Sequence, residues 1–237
     1  MSSSKWVPIE ASPDVFNEWA RPLGLPSSPL SFQDLFSLDP DFLSFIPSPV
    51  KAVLLLFPSR GELAAAREKE ESDGEGQWRG QSVWWIKQTI PNACGSIGLL
   101  HALLNLPNSG PYALEPDSNL LKFKAQSLPL SPIERAKLLD TTDFFSEAHT
   151  AAAQSGQSHI PEDLDVDTHF IAFIEAVDDN GDSRVVELDG GRSGPFDRGH
   201  CDSLLLDVAK IVQEKYIDRA GGDINFNMMV LAGEAQD

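Results

Sequence analysis

Two apolar runs of β-type composition, Phe170–Val177 and Arg184–Leu188, flank the tetrapeptide Asp178-Asp-Asn-Gly181. An Asn-Gly pair between such runs supplies the positive φ angles of a tight turn, so the stretch is predicted to be a β-hairpin. A chain built around that antiparallel pair needs further strands to pair with it and helices to cover it. Val50–Phe57, wholly apolar except Lys51 and set between Pro49 and Pro58, reads as a central strand buried on both faces. Val83-Trp84-Trp85-Ile86 reads as another strand, and Phe226–Ala232 as a closing one.

Helical signals are interleaved with these strands. Ser12-Pro13 is an N-cap followed by proline at the first helical position, Gly24 is a stop, and Val15, Phe16 and Trp19 share the inward face between them. Ser31–Phe45 carries a second helical pattern, interrupted at Asp39-Pro40. Glu62–Lys69 is helix-prone, and the acidic stretch Glu70–Gly76 after it is expected to be a mobile surface loop. Gly95–Asn105 forms an apolar helix, and Ser131-Pro-Ile-Glu134 is a capping box whose helix runs, with a break near Asp140, to Ala153. Gln154–Asp165 lacks apolar periodicity and reads as a loop, while Leu204–Ala220 is an amphipathic helix. With no repeat and no Pro/Ser linker, residues 1–237 are expected to form one α+β domain.

Charge removes several functional classes. Acidic residues number 36 against 18 basic ones, a formal charge of −18. Nucleic acid and anionic membrane both require a basic surface, so neither is an expected partner. The longest uninterrupted apolar run, Ala52–Phe57, is far short of the about 20 residues of a membrane span. The two cysteines, Cys94 and Cys201, have no CxxC spacing, so neither a zinc site nor a disulfide scaffold is expected. The first residues have no apolar signal segment, and a reducing compartment, cytoplasmic or nuclear, suits free thiols.

Cys94 follows a strand and an irregular turn and stands where an apolar helix begins. A thiol there feels the positive end of the helix dipole, which favours the thiolate needed for attack; a buried structural cysteine is the other reading. Among possible bases, His101 lies seven residues further along the same helix, roughly 10 Å away, and reads as a packing residue. His149 and His159 fall in or beside the polar loop and His200 in a Gly-rich turn, where histidines are ordinarily solvated; a second nucleophile at Cys201 beside His200 has little to support it. His169 differs, because it opens the apolar strand Phe170–Ile174. A hairpin centred on residue 179 places His169 and Asp189 opposite each other at its open end, at a spacing that suits a carboxylate orienting an imidazole. Asp189-Gly-Gly is equally the composition of an ordinary strand-end turn. Together Cys94, His169 and Asp189 outline a thiol nucleophile with base and orienter, and Gln88, six residues before the thiol, offers an amide for an oxyanion.

The segment Gln88–Gly95 (QT-x-x-NACG), the later DTHFIAF at Asp167–Phe173 and ELDG at Glu187–Gly190 resemble the ubiquitin carboxyl-terminal hydrolases. The likeness extends to Trp6-Val-Pro-Ile-Glu10, Ala52–Phe57 and Phe226-Asn227, in order along nearly the whole chain. It implies a papain-like fold, a central antiparallel sheet flanked by helices with the chain threaded as a knot. It also implies a cysteine protease with Cys94 as nucleophile, His169 as base and acid, Asp189 as orienter and Gln88 as oxyanion donor, and no metal or organic cofactor. The implied reaction is hydrolysis of ester, thioester, amide and isopeptide bonds at the C-terminal glycine of ubiquitin, releasing small or unstructured adducts. A crossover loop over the cleft is expected at about residues 154–165. The expected partner is ubiquitin or a ubiquitin-like protein, bound by a monomer through Pro8, Ile9, Glu10 and Arg219. The two other readings are a ubiquitin-binding module without catalysis and a protease for a ubiquitin-like modifier.

Overall fold

The computed structural model describes residues 6–74, 76–80, 83–157 and 166–233. A six-stranded sheet in the order β1-β6-β2-β3-β4-β5, antiparallel throughout, runs through its centre. The strands are β1 (Leu30–Asp34), β2 (Val50–Pro58), β3 (Thr168–Val177), β4 (Ser183–Leu188), β5 (Phe196–His200) and β6 (Asn227–Gly233). The helices are α1 (Pro13–Ala20), α2 (Pro40–Leu43), α3 (Gly61–Asp73), α4 (Cys94–Leu104), α5 (Asn119–Ser127), α6 (Pro132–Asp140), α7 (Asp143–Ser155) and α8 (Leu204–Val212), the last continued by a π-helical turn, Gln213–Ile217.

The expected hairpin is β3–β4, with Val177 opposite Ser183. β2 is the expected central strand, paired with β3 on one side and β6 on the other. Burial on both faces explains its unbroken apolar character. One face of the sheet meets α1 and α4–α7 around Leu54, Phe170 and Ala172; the other meets α8, α2 and α3 around Leu55, Ile171 and Phe173. Every residue of α4 is buried. A helix apolar on all sides belongs inside the core, and here it lies against the sheet beside Leu54 and Phe170. The capping box at Ser131 and Glu134 forms as its composition predicts.

Four expectations are corrected. Ser31–Phe45 is not chiefly helical: Leu30–Asp34 is edge strand β1, paired with β6, and only Pro40–Leu43 is helix. Leu30 and Phe32 alternate inward, and the Asn17 side chain of α1 occupies both the N–H and the C=O of Phe32, which satisfies the open edge. Val83–Ile86 joins no sheet. Its backbone groups are held by side chains instead: Asn105 pairs with Trp84 N–H and C=O, Arg135 donates to Trp85 C=O, and His101 Nε2 accepts from Ile86 N–H. The acidic stretch at Glu70 continues α3 as far as Asp73 before Gly74 closes it in the left-handed region. Gln154 and Ser155 are the last turn of α7, and most of the expected crossover loop, 158–165 with His159, lies outside the described residues. No helix among the described residues is long and apolar enough to cross a membrane.

Candidate active site

Cys94 is the first residue of α4. The turn before it passes through Asn92 in the left-handed region (φ 64°), a conformation asparagine tolerates, and Ala93 follows as a cap with no side-chain hydrogen bond. The backbones of Gly95 and Phe170 both act on its sulfur to favour the thiolate. Gly95 is required for close approach: a Cβ there would sit 2.5 Å from Ile9 Cγ1, so its absence lets the N-terminal segment cross the start of α4.

His169 pairs with Phe57 across β2–β3, at the end of the sheet where α4 begins. Its Nε2 lies 2.6 Å from Asp189 Oδ1, which leaves the other ring nitrogen for Cys94. The hairpin register differs from the expected one. Ala172 pairs with Leu188, so the line of pairing would carry His169 toward Gly191, and Asp189 reaches the imidazole as a diagonal neighbour. The displacement is an even number of residues and leaves both side chains on one face. Gly191 N–H donates to the same Oδ1 at 2.6 Å. Gly190 is held tightly as well: its C=O accepts from Gln88 N–H at 2.9 Å, and a Cβ would meet Ile97 Cγ2 at 2.8 Å and Gln88 Cβ at 2.9 Å. The crossing is tied further by Trp85 Nε1 on Asp189 C=O and by Lys87 Nζ on the carbonyls of Gly191 and Arg192. Gln88 thus sits beside α4, with its amide nitrogen 3.3 Å from Ile90 C=O and its Oε1 buried.

Electrostatics favour an ion pair. Burial pushes the Cys94 thiol up, but the hydrogen bond and charge of His169 outweigh it and hold the thiol below its ordinary value. Burial pushes His169 down, but the Asp189 carboxylate and Cys94 outweigh it and hold the imidazole above its ordinary range. Asp189 in turn is held below the usual carboxylate range: burial works against it, and His169 and Arg67 prevail. Cys201, by contrast, is pushed up to about 11 by burial and stays a thiol. A cavity of about 470 Å³ lined by Phe57, Ala64, Arg67, His169, Asp189 and Gly191 opens beside the imidazole.

The other histidines have structural partners. His101 is buried, stacks 6.3 Å from Trp85, and is pushed down to about 4 by burial. His149 is corrected from a solvated loop residue to a buried one on α7. Its Nε2 is 2.7 Å from Val7 C=O, which requires that nitrogen to donate, so Ser96 Oγ donates to Nδ1 at 2.8 Å. Burial holds it down to about 4 as well. Both folded-state values lie below the about 6.5 of an unfolded histidine. The unfolded chain therefore binds more protons between pH 6.5 and 4, and stability falls as pH falls through that window, by up to about 1.4 kcal/mol per pH unit for each histidine. His149→Gln is expected to flatten this slope in a pH series of thermal melts; an unchanged slope would refute it. His200 ends β5, a strand the sequence reading missed, and faces Asp202 at 3.1 Å.

Of the four remaining site candidates, Pro8 and Glu10 are half-buried, Arg219 is exposed, and Ile9 is turned into the core. The sequence reading also missed a buried ionic cluster behind Asp189. Glu187 is fully buried and meets Arg67, Arg192, Arg198 and the Tyr216 hydroxyl, with Glu70 bridging Arg192 and Arg198. A signal for it exists in Val185-Val-Glu-Leu188, where a carboxylate inside an apolar strand demands buried cations. Among the described residues no cluster of side chains suited to a metal ion occurs.

The model of the family described as ubiquitin carboxyl-terminal hydrolase, family 1, matches residues 6–217. Ubiquitin carboxyl-terminal hydrolase 3 of Arabidopsis thaliana is 34% identical over 233 residues, covering 98% of this chain and 95% of its own. Ubiquitin carboxyl-terminal hydrolase isozyme L1 of Rattus norvegicus is 35% identical over 230 residues, covering 96% and 98%. The Trichinella spiralis UCH37 catalytic domain, solved with ubiquitin vinyl methyl ester, matches with a TM-score of 0.74 at 23% identity, over 98% of this chain and 97% of that one, a likeness of fold.

Proposed function

The chain belongs to the ubiquitin carboxyl-terminal hydrolase family, and from that premise we propose that it is a thiol protease cleaving ester, thioester, amide and isopeptide bonds after the C-terminal glycine of ubiquitin. The observation that carries the reading is a thiol at the start of a buried helix, Cys94, held down by His169, whose Nε2 lies 2.6 Å from Asp189 Oδ1. The Cys94 thiolate attacks the glycine carbonyl carbon, and the bond between that carbon and the leaving heteroatom breaks as the tetrahedral adduct collapses. The His169 imidazolium gives its proton to the leaving group. It then takes a proton from water, whose oxygen releases the acyl group from sulfur. Asp189 holds the imidazole and supports its charge. The Cys94 N–H, and the Gln88 amide once released from Ile90, face the oxyanion.

The substrate is a protein. The acidic balance of this chain, −18, suits a basic partner, and a hollow of about 670 Å³ lined by the 90% exposed Phe36, Leu38 and Ile217 together with Asp34, Asp39 and Gln213 offers a mixed apolar and acidic face. Both cysteines are unpaired, as suits a reducing cytoplasmic or nuclear setting. Ubiquitin carrying a C-terminal electrophile tests the reading: one adduct, mapped by peptide mass to Cys94 and not Cys201, is expected. Binding of ubiquitin with no adduct would instead favour the non-catalytic binder, and preferential labelling by a ubiquitin-like modifier the third reading.

A further inference from the structure

The mechanism has Asp189 orient His169, and the structure contains a group that orients Asp189. Oδ1 carries His169 Nε2 and the Gly191 N–H, while Oδ2 carries Arg67 Nη2 at 2.5 Å. The same guanidinium uses Nη1 to reach Glu187 Oε1 at 3.1 Å and the Tyr216 hydroxyl, which in turn donates a hydrogen bond to Glu187 Oε2 at 2.7 Å. It packs against two rings that also touch each other, with its central carbon 4.8 Å from the Phe57 centroid and 5.2 Å from that of Tyr216. The Phe57 ring in turn stands edge-on to His169 at 5.9 Å.

We propose that Arg67 is a positioning residue for this reaction, clamping Asp189 so that Oδ1 stays in line with His169 Nε2. The inference rests on the catalytic reading above and adds to it a second layer anchored in α3, β4 and the π-helical turn after α8. A guanidinium suits the task because its rigid fork donates in two directions at once, to Asp189 on one side and to Glu187 and Tyr216 on the other. A lysine ammonium at this position keeps the charge and loses the fork. Arg198 provides an internal control: it donates to Glu187 and Glu70 in the same cluster and makes no hydrogen bond to Asp189.

The test compares Arg67→Met, Arg67→Lys and Arg198→Met with the wild type. Three quantities are read: kcat and KM on a ubiquitin C-terminal ester, thermal midpoint, and the downfield Nε2–H resonance of His169 in ¹⁵N-histidine-labelled protein. Arg67→Met is expected to lower kcat by about 10- to 100-fold with KM unchanged and to broaden or shift the His169 resonance upfield. Arg67→Lys should recover only part of kcat. Arg198→Met should lower the midpoint while leaving kcat and the resonance as in wild type. Equal losses of kcat in the Arg67→Met and Arg198→Met variants, or an unmoved resonance with wild-type kcat in Arg67→Met, would overturn the clamp. Should Arg67→Met fail to fold, Arg67→Lys decides, and wild-type kcat with an unmoved resonance there overturns it. A wild type inert toward the ester would instead refute the catalytic reading, and the resonance would still report on the Asp189–His169 bond.

Discussion

Cys94→Ala and His169→Asn are each expected to lose about 10⁴-fold or more in kcat on ubiquitin C-terminal esters. The double variant is expected to be no worse than Cys94→Ala alone. The reason is in the geometry: each residue perturbs the other, His169 pulling the Cys94 thiol down and Cys94 pushing the His169 imidazole up, so the two ionise as a unit. Removing either destroys the ion pair, and removing the second then costs nothing further. Ubiquitin affinity should survive in all three variants, because Cys94 is nearly buried at the floor of the site and contributes little contact surface. Single-turnover kinetics and calorimetric titration check both halves. Multiplicative losses would show that the residues act separately and would sink the ion-pair description.

Glu187→Ala is expected to cost about 3–5 kcal/mol of stability, on the order of 10 °C in thermal midpoint. The carboxylate is fully buried and has Arg67, Arg192, Arg198 and Tyr216 around it, so alanine would leave buried guanidiniums without their counter-charge. Burial pushes Glu187 up, but the charges of Arg198, Arg67 and Arg192 outweigh it and hold it down at about 2. Its folded value lies below its unfolded one of about 4.5, so its stabilisation is present above that pH and is lost as pH falls toward 2. Glu187→Gln should fall between the two, since the amide can still accept from Tyr216 while carrying no charge. Scanning calorimetry of the three proteins decides it, and a loss below about 1 kcal/mol for the alanine variant would show that the cluster relaxes into solvent.

Most of the candidate constellation was legible because its signals are local. A cysteine at a helix start, a histidine opening an apolar strand, an Asp-Gly-Gly after its hairpin partner and a capping box at Ser131 all involve neighbours a few residues apart. Side-chain chemistry and backbone preference act over that distance, so composition alone exposes them. Gln88 was a candidate from spacing, but that its neighbour Gly190 must lack a Cβ follows only from two segments about a hundred residues apart crossing at contact.

The misses share one cause. Leu30–Asp34 became a strand because β6 offers it a ladder from the far end of the chain, pairing Leu30 with Gly233. Val83–Ile86 did not, because Asn105, His101 and Arg135 reach its backbone before any strand does. His149 left the solvent because Val7 and Ser96 meet at its ring. The sequence by itself thus determined the hairpin, the buried central strand and the helix that carries Cys94, and it named the candidates for the reacting groups. Only the tertiary structure decided the diagonal register of His169 on Asp189 and the arginine clamp behind it. Those features depend on α3, β4, β5 and α8 converging in space, and buried charges find partners by proximity in the fold, which no local pattern records.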